Sequence, residues 1–285
     1  MKLAILTLFA LVAFAANSVL TRVALANGQI GPEAFFAIRL LSGALTLLVL
    51  VHFRGGLRAL PSHGNAISAA ALLIYATAFS WAYISLDTGV GALILFGGVQ
   101  LTMFAGSILT SERPPARSWV GAILGMLGLT ILFAPGADVP DLFGALLMIL
   151  AAIAWGIYSL RGRSATSPLF ATAANFIYAA PVGILMWLVI PNAIDTTTAG
   201  VVLAIASGGL ASGVGYAVWY GVLPKISGPT AAILQLTVPI IALTGGVVFL
   251  GEAVGIRFVI ATICIIGGVV VAVYQRPRLP AGKPH

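Results

Sequence analysis

Ten apolar stretches run almost end to end through this chain, and they leave few architectures open. They cover residues 3–26, 32–53, 66–86, 88–110, 118–134, 142–160, 168–190, 199–223, 229–250 and 255–274. A helix that crosses a bilayer needs about 20 mostly apolar residues, and each stretch meets or approaches that length. The breaks between them carry turn chemistry: Asn27-Gly28, Gly55-Gly56, Asp87-Thr88-Gly89, Pro114-Pro115, Pro135-Gly136, Pro191-Asn192 and Ser227-Gly228-Pro229. Only 7% of the residues are charged and 60% are hydrophobic, whereas soluble domains carry about 25% charge. The expected fold is therefore an all-α integral membrane protein with ten transmembrane helices. Residues 1–18 have the basic start and apolar run of a signal peptide. The apolar run continues to Ala26, however, so the segment is read as the first spanning helix.

The charges set the orientation. With ten spans, the N-terminal side holds Lys2, Arg54, Arg58, Arg113, Arg117, Arg161, Arg163, Lys225, Arg276, Arg278 and Lys283, and the other side holds only Arg22, Arg39 and Arg257. Of the acidic residues, only Glu112 falls on the N-terminal side; Glu33, Asp87, Asp138, Asp141, Asp195 and Glu252 fall opposite. Basic loops stay inside, which places both termini in the cytoplasm. A nine- or eleven-span arrangement would scramble this separation. The net charge of +7 is thus a consequence of topology and does not imply a nucleic-acid partner.

The chain also repeats. At an offset of 140, Ala92 matches Ala232, Gly106 matches Gly246, Glu112 matches Glu252, Arg117 matches Arg257, Ile123 matches Ile263 and Gly128 matches Gly268. At an offset of 139, the end of the first segment, with Arg22, matches the sixth, with Arg161. Five spans per copy is an odd number, so the second copy enters from the opposite face. The expectation is two inverted five-helix repeats around a central cavity, residues 1–137 and 138–276, with 277–285 as a cytoplasmic tail. Inverted repeats of this kind are characteristic of secondary transporters, whose substrate site lies near the midplane between the copies.

Several of these features resemble the ten-helix, EamA-repeat branch of the drug/metabolite transporter (DMT) superfamily. They are Asn17-Ser18 followed by Arg22, the run from Pro32 to Arg39, the fourth segment ending Ser111-Glu112-Arg113, and Pro239 with Leu250-Gly251-Glu252. The chain departs from the pattern at Val99-Gln100, which stand where the second copy has Pro239. Within the superfamily the aromatic content is similar to that of YddG-type aromatic amino-acid exporters. The resemblance implies an inner-membrane export permease with a cavity lined by both halves.

Candidate substrate-binding residues follow from burial costs. Ionisable groups deep in a membrane segment are expensive and mark function by default. Arg39, seven residues into the second segment, either binds a substrate carboxylate, holds a gate, pairs with Glu33 or Asp87, or snorkels to the interface. Arg22 is read as interfacial. Tyr75, Phe79 and Tyr83 recur every fourth residue and share a helical face. Together with Trp155 and Tyr158 they offer rings for a flat substrate, or else pack between helices; Tyr83, Trp219 and Tyr220 also suit an interfacial belt. The amides Asn17, Gln100 and Gln235 would bind a zwitterion or bridge helices, and Asn175 is a weaker candidate. Pro181 and Pro239 are expected to kink their helices and free carbonyls for a cavity. Glu112 and Glu252 are expected to complement the dipoles of the fifth and tenth helices.

Other function classes fit poorly. No His, Asp or Glu falls mid-span, which removes a buried proton relay and favours facilitated movement or coupling through other groups. No HExxH motif, paired aspartates or Ser with a neighbouring His or Lys supports catalysis, so no catalytic residues are assigned. Cys264 stands alone, so no cysteine-based metal site or cofactor is expected. No GxxxxGK[ST] motif occurs, and nothing resembles a channel filter. The leading expectation is a secondary exporter of small metabolites, aromatic or other neutral amino acids first, working by alternating access in the lipid bilayer. Nucleobases, nucleotide sugars and amphiphilic drugs are the alternative cargoes.

Overall fold

The computed structural model describes residues 2–55, 57–109, 116–134, 139–163, 165–191, 194–226 and 234–273. Within them lie ten long helices: α1 Lys2–Ala26, α2 Pro32–Phe53, α3 Ala66–Ala82, α4 Thr88–Leu109, α5 Ala116–Leu132, α6 Leu142–Arg163, α7 Pro168–Val189, α8 Thr198–Val222, α9 Val238–Leu250 and α10 Ile256–Val273. Six of them (α1, α2, α4, α6, α7 and α8) are long and apolar enough to cross a membrane. The protein is a multi-pass, all-helical membrane protein. Large apolar side chains such as Leu8 on α1 and Leu185 and Leu188 on α7 point outward, because here the outside is hydrocarbon.

Local chemistry sets the helix ends. Asn65 and Thr197 cap α3 and α8, accepting from Ser68 N (3.2 Å) and Gly200 N (3.1 Å). Pro32 and Pro168 stand in the first turns of α2 and α7, where a missing N–H costs nothing. Gly251 ends α9 in the left-handed conformation at φ 68°.

One expectation is corrected at this level. Pro239 is not a mid-helix kink. The chain turns at Leu236–Thr237, where Thr237 Oγ1 donates to Leu234 O at 2.7 Å, and Pro239 then sits in the first turn of α9. A proline is tolerated there without breaking a hydrogen bond. Pro181, by contrast, lies inside α7, which runs through it.

The packing pairs have mates. α6 packs on α3 and α4, and its counterpart α1 packs on α8 and α9; α2 packs on α7, α4 on α9 and α5 on α10. Exchanging each helix for the one five places away reproduces the set. The α5–α10 seam shows the relationship in atoms. A Cβ on Gly121 would strike Gly268 O, and one on Gly128 would lie 2.9 Å from Ala261 O. The low-numbered end of one helix thus meets the high-numbered end of the other, so α5 and α10 run antiparallel. Small residues at the crossing allow this approach.

Candidate functional site

Arg39 reaches the middle of the molecule from α2, and its side chain is fully enclosed, with the residue 2% exposed. Its Nη2 donates to the Tyr75 hydroxyl at 3.0 Å and its Nε to Ser212 Oγ at 3.4 Å. The guanidinium lies 5.2 Å from the Tyr75 ring centre and 4.9 Å from that of Phe79, within cation–π range. It neither snorkels nor pairs with Glu33 or Asp87, and Asp87 is engaged by Arg22 instead. Among the described residues Nη1 makes no well-formed hydrogen bond, although the Tyr216 hydroxyl also lies close to the guanidinium. A buried cation with two apolar ring faces and an unsatisfied donor edge is costly to retain.

The polar side of Arg39 is built by α8. Residues Ala206–Val214 of that helix are π-helical, with i→i+5 bonding. Residues five apart on an α-helix diverge by about 140°, but in the wider turn they approach the same face. Ser207 and Ser212 accordingly converge on one acceptor, Asn17 Oδ1, at 2.8 and 3.3 Å. Ser212 therefore links Arg39 to Asn17. The glycines of this stretch let it sit close: a Cβ on Gly208 would collide with Arg39 O and Ser42 Oγ.

Aromatic rings enclose the other side. Trp155 stacks on Tyr158 (5.2 Å between centres, 23° between planes) and meets Tyr75 at 4.8 Å and Tyr216 at 5.2 Å. Phe79 meets Tyr75 at 5.3 Å, and Phe14 packs edge-on against Tyr216 and Trp219, both at 5.7 Å. The site is shared: α1, α2 and α3 supply Asn17, Arg39, Tyr75 and Phe79, while α6 and α8 supply Trp155, Tyr158, Ser212 and Tyr216. In this structure these rings pack against one another in the core.

Not every candidate joins the cluster. Tyr83 is fully buried, meets Phe79 edge-on at 4.8 Å and donates to Thr88 O at 3.3 Å; with Trp219, also buried, it does not form an interfacial belt. Gln100 and Gln235 are half-buried, and among the described residues neither hydrogen-bonds to the Arg39 cluster. Asn175 accepts from Asn65 N at 3.0 Å and lies beside Tyr158 at the edge of the cluster. Ser207, Ser212 and Phe14 belong to the site although sequence reasoning did not single them out. Glu112 lies outside the described residues.

Two clefts flank the cluster. One, of about 260 Å³, lies at the end that holds the α2–α3 and α6–α7 connections and is lined by His63, Asn65, Tyr158, Arg161, Thr172 and Asn175. Arg161 donates there to Asn65 Oδ1 (2.9 Å) and Ser68 Oγ (3.2 Å). The other, of about 340 Å³, lies at the opposite end and is lined by Asp87, Asp141, Glu252 and Arg257 among others. Beside it, Arg22 pairs with Asp87 (3.3 Å) and Glu252 (3.5 Å) and donates to the carbonyls of Tyr83 and Ile84. Arg22 thus ties α1 to α3, α4 and α9 and is a cross-brace, not merely an interfacial residue. Tyr158 joins the first cleft to the aromatic cluster.

Comparison with known proteins places the fold among its relatives. Residues 142–274 match the model of the EamA-like transporter family. An uncharacterized protein of Pseudomonas aeruginosa is 44% identical over 275 residues, covering 96% of this chain and 95% of its own. The threonine/homoserine exporter RhtA of Escherichia coli K12 is 30% identical over 188 residues, covering 60% of this chain and 58% of its own.

The chain belongs to the EamA-like transporter family.

A solved structure has the same fold, with a TM-score of 0.65 at 20% identity over 93% of this chain and 96% of that one. As an EamA transporter, the protein handles a small molecule within the lipid bilayer. The family match spans the second half of the chain, α6 to α10.

Proposed function

We propose that this EamA transporter exports aromatic or other neutral amino acids across the inner membrane by alternating access. Residues 1–137 and 138–276 act as two inverted halves that rock about the Arg39 cluster, with both termini cytoplasmic. The observation that carries this reading is the shared construction of the cluster: a buried cation, hydroxyls and an amide on one side, and four stacked or tilted rings on the other. A zwitterion with an apolar side chain complements both sides. The likeness to RhtA, a threonine/homoserine exporter, supports amino-acid cargo and extends the panel to be tested beyond aromatic residues. The brace at Arg22 and the polar cleft at Arg161 lie at opposite ends of the cluster, as a path gated at two ends requires.

The test is counterflow in proteoliposomes. Vesicles preloaded with unlabelled tryptophan, phenylalanine or threonine should accumulate the labelled compound only when the protein is present. Transport of an unrelated metabolite, with no flux of any amino acid, would overturn the cargo assignment.

A further inference from the structure

The donor edge of Arg39 points to a recognition site more specific than a general aromatic cavity. A guanidinium carries five N–H donors in a planar fork and keeps its charge in any protein environment. In this protein Nε is held by Ser212 and Nη2 by Tyr75, and the guanidinium lies 5.2 and 4.9 Å from the Tyr75 and Phe79 ring centres. What remains is Nη1, enclosed and without a well-formed hydrogen bond among the described residues, with the Tyr216 hydroxyl also close to the guanidinium. No carboxylate forms an ion pair with Arg39 among the described residues: the acidic ion pairs there, Asp87 and Glu252, belong to Arg22. The Tyr75 hydroxyl accepts from Nη2 and, as a hydroxyl, retains one donor.

We infer that the Nη1–Nη2 edge of Arg39, with the Tyr75 hydroxyl, is a carboxylate subsite, and that the transported cargo must carry a carboxylate. This rests on the exporter reading and names the group that its site selects. A carboxylate is the planar acceptor that matches the fork in two parallel hydrogen bonds. It would neutralise a cation held in low dielectric, where such pairing counts most. The Ser207–Asn17–Ser212 chain positions the fork by fixing Nε, and the π-helical turn of α8 is what allows both serines to reach Asn17. Trp155, whose ring centre lies 4.8 Å from that of Tyr75, is placed to meet the side chain of a ligand anchored at Arg39. Decarboxylated amines, which present the same rings without the acceptor, lack the anchor.

Two measurements on the full-length protein test this. In detergent, isothermal titration calorimetry compares 3-phenylpropanoate with its isosteric neutral partner 3-phenylpropanamide. The acid should bind between about 10- and 100-fold more tightly, the range of one charged hydrogen-bonded contact. Arg39→Gln should abolish that preference, and Tyr75→Phe, which keeps the ring, should reduce it several-fold. In proteoliposomes, tryptophan should compete for counterflow where tryptamine does not. Failure of every amino acid to move would remove the exporter reading alone, because the acid–amide comparison reads the subsite without transport. Equal binding of acid and amide by the wild type, or a folded Arg39→Gln protein that keeps the preference, would overturn the subsite. If Arg39→Gln does not give a monodisperse protein, the wild-type ratio and Tyr75→Phe decide.

Discussion

Glu252, beyond the end of α9, caps α4 through Thr88: its carboxylate accepts from Thr88 N and from Thr88 Oγ1, each at 2.9 Å. The residues are 164 positions apart. The same carboxylate faces Arg22 at 3.5 Å, so one buried group satisfies a helix N-terminus and a cation together. Replacement of Glu252 by Ala should cost at least about 1 kcal/mol from the cap alone, with a further loss from the unpaired Arg22. Thermal unfolding in detergent should show the larger part of this loss restored in the Arg22→Ala, Glu252→Ala double variant, relative to the sum of the single changes.

At the α2–α8 crossing, Gly208→Ala should destabilise the protein by about 1–3 kcal/mol, the range for overpacking. The added methyl would meet Arg39 O and Ser42 Oγ, and the first of these is backbone. Gly221→Ala, at a glycine with open space around it, should be close to neutral in the same assay.

Trp155→Ala should raise the KM for aromatic cargo with little change in the amount of folded protein, because the indole contacts rings from both halves, among them Tyr75, which holds the buried arginine. A variant that loses folded protein and cargo affinity together would show that the ring serves packing alone.

The Asp141 carboxyl, ahead of α6, is held below the usual carboxylate range by the backbone N–H of Gly144 and by the Ser85 hydroxyl. A lowered folded-state pKa stabilises the ionised protein. The contribution is present in full above the ordinary aspartate value, near 3.9, and is lost as the pH falls through the folded-state value. Wild-type and Asp141→Asn proteins should therefore differ in stability by a constant amount near neutrality and converge in acid. Ser85→Ala should weaken the effect by removing one of the two donors.

Much of this was legible in the chain because it is local. Hydropathy marks a span wherever apolar residues accumulate, and the basic bias accumulates loop by loop. Tyr75 and Phe79 were placed together by helical period, and Arg39 by the cost of its charge. Ser207 and Ser212 were not, because ordinary helix geometry turns residues five apart away from each other; only the π-helical register brings them onto Asn17. Glu252 was expected to serve α10, the helix that follows it, but the N-terminus it reaches is that of α4 in the other half. Pro239 looked like a kink because the turn at Leu236–Thr237 lies within an unbroken apolar run. In each case the deciding contact depends on backbone geometry or on a distant segment, and neither leaves a mark in local composition.

The α5–α10 seam has a consequence for lineage. When a surface meets its own inverted copy, each contact occurs twice with the roles exchanged. Here Gly121 against Gly268 is mirrored by Gly128 against Ala261. A half-length ancestor with this helix could have paired with an oppositely inserted copy of itself through the same surface. Position 261 carries an alanine where position 121, its match at the offset of 140, carries a glycine.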